Sequence, residues 1–141
     1  MAQQTISIHQ TFNAPIAQVF AVLSDHKKFG EICGVNLVGI QEGEGGLNGK
    51  GSIRTIKIGL LPAFDETITD FIENEFIEYK ITKGSPIKNH IGTLKFSDQN
   101  NQTVLDYVIK LESKIPLTTG IIKAALQKNI SKGLSKYSKS L

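Results

Sequence analysis

Most of the chain alternates between apolar and polar side chains. From Gln4 to Phe12, Ile6, Ile8, Gln10 and Phe12 fall on one face and Thr5, Ser7, His9 and Thr11 on the other, the period of a half-buried strand. Asn13-Ala14-Pro15 then predicts a helix start, with asparagine as cap and proline in the first turn, and Ile16, Val19, Phe20 and Leu23 as the buried stripe. Asp25 is placed to cap a second short helix through Lys27, Phe29 and Ile32, which Gly34 stops. From Val35 to Leu111 the period is again two. The predicted strands are Val35 to Glu42, Gly51 to Leu60, Phe64 to Glu73, Phe76 to Lys83, Asn89 to Ser97 and Thr103 to Glu112, with turns at Asn74-Glu75, Lys83 to Pro86 and Asp98 to Asn101. Short connections pair consecutive strands antiparallel, as a meander.

The period changes once more at Pro116. Ile122, Leu126, Ile130, Leu134, Tyr137 and Leu141 recur at steps of three and four and predict a long amphipathic helix, about Leu117 to Ser138, with Lys128, Lys132 and Lys139 on the opposite, solvated face. Lys123 falls inside the stripe, near enough to the helix start to extend its ammonium outward. Such a helix is about 35 Å long, enough to lie along a whole sheet.

Composition narrows the class. A chain of 141 residues, 40% apolar and 21% charged, is expected to form one domain spanning 1–141. Sixteen basic against thirteen acidic residues, spread along the chain, give no dense basic patch, so no nucleic-acid partner is expected. The single Cys33 excludes an internal disulfide, and His9, His26 and His90 have no ligand spacing, so no metal is expected. No apolar run reaches membrane length and the N-terminus does not read as a signal peptide, which predicts a cytoplasmic protein. The basic helix face leaves transient contact with an anionic membrane open, and the oligomeric state is open as well.

Gly43-Glu44-Gly45-Gly46-Leu47-Asn48-Gly49-Lys50-Gly51 invites comparison with phosphate-binding loops, and fails it. A Walker loop needs glycine where Glu44 stands and serine or threonine where Gly51 stands; a dinucleotide fingerprint needs glycine at Asn48. Both need a helix next, whereas a strand follows. The stretch reads as a hairpin loop, and no cofactor is expected.

A few polar residues fall on faces otherwise apolar. Arg54 alternates with Ile56 and Ile58, and Glu66 with Phe64, Ile68 and Ile72, on neighbouring strands. Buried charges are costly unless paired, so these two are expected to form either a structural pair or the polar end of a ligand cavity. His90 shares a face with Gly92, Leu94 and Phe96; as a strand-end histidine it is expected to be satisfied by backbone or water. Tyr79 and Tyr107 face the same space, their hydroxyls expected at its rim.

The order strand, two short helices, six strands, long helix resembles the START/SRPBCC superfamily, the helix-grip fold of tree-pollen allergens, polyketide cyclases and lipid-transfer proteins. The local matches are Phe12-Asn13-Ala14-Pro15 with Val19-Phe20, then Gly49-Lys50-Gly51-Ser52-Ile53-Arg54, then Gly92-Thr93-Leu94. The resemblance implies an α+β fold in which a seven-stranded, curved antiparallel sheet grips the C-terminal helix, with an apolar cavity between them and the glycine-rich loop near its mouth. Such folds share architecture more than chemistry.

The preferred reading is a non-enzymatic binder or carrier of a hydrophobic small molecule: a lipid, a fatty acid, a quinone or a polyketide-like compound. It requires a cavity of at least ~300 Å³. Phe20, Arg54, Ile56, Ile58, Phe64, Glu66, Ile68, Tyr79, His90, Leu94, Phe96, Tyr107, Ile122 and Leu126 are the expected ligand contacts. The rival is an enzyme of polyketide cyclase or aromatase type, with Glu66, His90 and Arg54 as its catalytic candidates. A third reading is a protein-interaction domain with a filled core.

Overall fold

The computed structural model describes residues 3–57, 62–84, 87–113 and 116–141. The expected strand end at 58–60, with Ile58, residues 85 and 86 of one expected turn, and the Ile122 side chain lie outside what it describes. Strand β1 (Gln3–Phe12) is followed by helices α1 (Ile16–Leu23) and α2 (His26–Cys33). Strands β2 (Asn36–Gln41), β3 (Ile53–Lys57), β4 (Phe64–Ile72), β5 (Phe76–Lys83), β6 (Ile87–Gln99) and β7 (Gln102–Ser113) come next, and helix α3 (Pro116–Lys139) last. All strand pairs are antiparallel in the order β1-β7-β6-β5-β4-β3-β2, a meander that β1 joins at the β7 edge. This is the helix-grip architecture expected from the order of periodicities.

The local reasons are mostly those of the sequence. In β1, Ile6, Ile8 and Phe12 are buried while the alternate residues face solvent. The Asp25 carboxylate accepts from the Lys28 amide at 2.9 Å to cap α2, and Gly34, at φ 73°, ends it. One cap differs from expectation: Pro15, not Asn13, is the N-cap of α1. Its carbonyl accepts from the amides of Gln18 and Val19, and no side chain caps the helix.

The sheet bends at register shifts in β2, β4 and β6, between Gly39 and Gln41, Asp65 and Glu66, Ile68 and Asp70, and Lys88 and Ile91. The shift after Ile68 also corrects the expected phase. Ile72 is exposed, and Phe71 turns inward to meet Phe20 edge-on at 5.3 Å.

Helix α3 lies against β1, β7 and α2. Among its described residues the stripe is buried in the C-terminal half, at Ile130 and Leu134, with Leu126 and Tyr137 half-buried. Leu141, expected in the stripe, is exposed because the helix ends at Lys139, and Lys123 is half-buried. Tyr137 packs on Phe12, and the Ser138 hydroxyl donates to the Thr11 carbonyl at 2.8 Å, so this half is pinned to β1. Towards its N-terminus Ile121, Ala124 and Ala125 are exposed.

The α2–α3 crossing is close. A Cβ on Gly133 would lie 1.7 Å from the Ile32 carbonyl oxygen, a backbone atom that cannot rotate away. Helix propensity alone favours Gly133→Ala by about 1 kcal/mol. The clash outweighs that gain, since overpacking of this kind costs about 1–3 kcal/mol. Gly133→Ala is therefore expected to lower the urea midpoint. A stabilised variant would mean that the helices stand further apart in solution.

Candidate functional site

Directly paired in the β3–β4 register, Arg54 and Glu66 both point inward by alternation. Glu66 Oε1 accepts from Arg54 Nε at 3.0 Å and from Nη2 at 2.9 Å, with each side chain only about 5% exposed. The guanidinium lies between two rings, its Cζ 5.4 Å from the centre of Phe29 and 4.7 Å from that of Tyr79. Burial alone would loosen the Arg54 proton, but Glu66 overrides it and keeps the guanidinium charged. Burial pushes the Glu66 carboxyl up, against the downward pull of Arg54.

His26 opens α2 and joins this pair. Arginine can only donate, so the 3.4 Å contact from Nη1 makes His26 Nδ1 an acceptor. The ring proton then sits on Nε2 and is donated to the buried Ser52 hydroxyl at 3.1 Å. The His26 amide donates to Asn48 Oδ1 at 3.0 Å, while the Glu44 amide donates to the Lys50 carbonyl. The glycine-rich loop is thus a self-bonded hairpin docked on the start of α2. Burial first and Arg54 second lower the His26 pKa to about 4, with Asp25 opposing.

Beside the guanidinium, the Tyr79 and Tyr107 hydroxyls are bonded to each other, both buried rather than at the rim. Tyr79 reaches this position because Gly92, its partner on β6, has no side chain: a Cβ there would fall 2.2 Å from the ring. Burial raises the pKa of both hydroxyls. His90 packs against the Tyr79 ring at 5.6 Å between centres and is 7% exposed. Contrary to the expected backbone or water partner, its Nδ1 is buried with none. Burial lowers its pKa to about 4, opposed by its own backbone and helped by a smaller push from Arg54, so the ring is neutral at pH 7. Burial also raises the Cys33 thiol to about 12, which removes it as a nucleophile.

Arg54, Glu66, Tyr79, Tyr107, His90 and Cys33 line a cavity of about 120 Å³ between the sheet, α2 and α3; His26 and Ser52 do not reach it. Of the expected contacts, Arg54, Ile56, Phe64, Glu66, Tyr79, His90, Tyr107 and Leu126 line it. Phe20, Ile68, Leu94 and Phe96 are buried but do not line it. Phe20 is wedged between Phe71 and Phe96, and that end of the interior is packed solid. The volume falls short of ~300 Å³ for this reason. The wall that alternation did not reveal comes from α2, β2 and α3: Phe29, Cys33, Val35, Leu37, Ala125, Asn129 and Ile130, joined by Ile81 and Ile109. Ala125 and Asn129 are exposed yet line the cavity, so it opens beside the N-terminal half of α3. Among the described residues, no three or more His, Cys, Asp or Glu side chains gather as a metal site, and no helix is long and apolar enough to cross a membrane.

Comparison with known proteins returns the same fold. The family model described as polyketide cyclase / dehydrase and lipid transport matches residues 3–140, and the chain belongs to that family. A START superfamily protein from Mycobacterium smegmatis superposes with a TM-score of 0.78 at 12% identity, covering 96% of this chain and 97% of the other. The Zhui aromatase/cyclase from Streptomyces sp. R1128 superposes with 0.77 at 13% identity, over 96% and 93%. A protein from Thermus thermophilus gives 0.77 at 15%, over 97% and 98%. At such identities the likeness is one of fold. No curated protein matches the chain.

Proposed function

We propose that the chain binds a hydrophobic small molecule in the cavity under α3. The observation that carries this reading is a mouth-bearing, mainly apolar cavity whose few charges are already neutralised within the wall. Membership of a family that includes lipid transport supports it, and an interior with open space argues against an interaction domain with a filled core; the ~300 Å³ expected for a lipid or fatty-acid carrier is not reached, so the reading narrows to a small ligand. Binding is favoured over cyclase chemistry. Glu66 Oε1 is held by two N–H groups of Arg54, and no nucleophile, base and orienting group stand in line among the described residues.

The test is a thermal-shift and calorimetry panel of benzene, phenol, decanoate and a benzoquinone, with native mass spectrometry of the protein as purified. At least one compound is expected to bind saturably at one site and to raise the melting temperature, by an amount equivalent to about 2.7 kcal/mol at a hundredfold excess over Kd. A bare mass with no uptake of any panel member would sink the reading.

A further inference from the structure

Building on the binding reading above, we infer that the cavity selects a neutral, single-ring molecule carrying one hydroxyl, a phenol-class ligand, and that His90 is the residue that reads the hydroxyl. Three observations converge on it. The first is size: a 120 Å³ cavity is close to the ~150 Å³ apolar cavity that holds one benzene, and far from the space a long acyl chain needs.

The second is charge. Arg54 and Glu66 are the only fully charged side chains among the described residues that line the cavity, and each is committed to the other at 2.9 Å. Among the described residues no unpaired cation lines the cavity to meet a carboxylate, and burying an uncompensated anion would be costly. Acids, fatty acids included, are therefore disfavoured.

The third is the hydrogen bonding that the protein leaves unspent. Of the two bonded tyrosine hydroxyls one donates to the other, so the pair retains a single O–H proton for a further acceptor. His90 Nδ1, beside Tyr79, is buried without a partner. The spare O–H and the unpartnered Nδ1 at the same wall match a group that can both donate and accept at one oxygen. A hydroxyl does both and serves Nδ1 in either tautomer, whereas a hydrocarbon leaves His90 unsatisfied. The tyrosine O–H donates to the ligand oxygen, and the ligand hydroxyl bonds Nδ1.

The experiment is calorimetry of the intact protein at pH 7.5 with phenol, benzene and benzoate, repeated on His90→Phe. Phenol is expected to bind about tenfold more tightly than benzene, the scale of one net hydrogen bond, and benzoate to bind more weakly than phenol. In His90→Phe the phenol-to-benzene ratio is expected to fall towards one while benzene binding persists. If that variant does not fold, the ¹⁵N shift of His90 Nδ1 in the parent protein decides: phenol should move it and benzene should not. Equal affinities for phenol and benzene, benzoate binding as tightly as phenol, or an unmoved Nδ1 would overturn the selectivity but leave a binder. Failure of all three probes together with the wider panel would remove the binding reading itself.

Discussion

Glu66→Ala is expected to destabilise the protein by about 3–5 kcal/mol, because it leaves the Arg54 guanidinium buried and uncompensated between two aromatic rings. His26 cannot take over, since its lone acceptor nitrogen is neutral and already faces Nη1. The proper control is Glu73→Ala at an exposed acid, expected to cost less than ~1 kcal/mol. Glu78 is a poorer control: it is half-buried and accepts from the Thr69 hydroxyl at 2.7 Å. Urea midpoints at matched slopes report the difference. Glu66→Gln keeps the shape of the site but releases the positive charge. Benzoate should therefore gain affinity relative to phenol in that variant. A Glu66→Ala protein that unfolds with the parent would mean that the ion pair is solvated and that the neutral-cavity argument loses its basis.

The parts of this fold that follow from backbone period were legible in the sequence; those that depend on depth of packing were not. Strict alternation predicted the inward facing of Arg54, Glu66, Tyr79, His90 and Tyr107, because a strand inside a paired sheet has only two faces to choose between. Alternation cannot foresee a bulge, so Ile72 was expected inside and lies outside. Nor can it tell an inward side chain that lines space from one that fills it. Phe20, Leu94 and Phe96 share the cavity's layer but close on each other, and only the seating of α3 decides which end stays open. The helical side of the wall escaped for another reason. Phe29 and Cys33 sit on an eight-residue helix whose stripe reads as ordinary core, and His26 at its start meets Arg54 rather than the cavity. The one available signal was Asp25 as a cap, which fixes the start of α2 and so places His26 and Phe29 one turn apart on the side that meets Arg54. The loop from Gly43 to Gly51 failed every nucleotide motif for chemical reasons. Its place against His26 depends on Asn48, whose contact partner lies 22 residues upstream.

Acid is expected to unfold this protein well above the ordinary carboxylate range. His26 and His90 are both held near pKa 4 by burial, with Arg54 pushing in the same direction, and with Asp25 opposing at His26 and the backbone opposing at both. In the unfolded chain each titrates near the ordinary value of 6.5. Because the folded values are depressed, the unfolded state binds protons first as the pH drops. The stabilisation is complete above about pH 7, declines through the interval from 6.5 to about 4, and is spent below it. A shift from 6.5 to about 4 corresponds to roughly 3 kcal/mol at His90, a large share of the 5–15 kcal/mol of a typical domain, and to less at the less deeply enclosed His26. Glu66 acts in the opposite sense, since its raised pKa lets the folded state hold a proton there more readily than the unfolded chain does. Urea midpoints should therefore be level from pH 8 to 7 and fall steeply between pH 6 and 5, with a slope approaching two protons per molecule. His26→Gln and His90→Phe should each remove about one proton from that slope, even where they lower stability at neutral pH. A curve that stays level down to pH 4.5 would mean that both rings accept protons without leaving their sites, which contradicts the contact of His26 Nδ1 with Arg54 and the enclosure of His90.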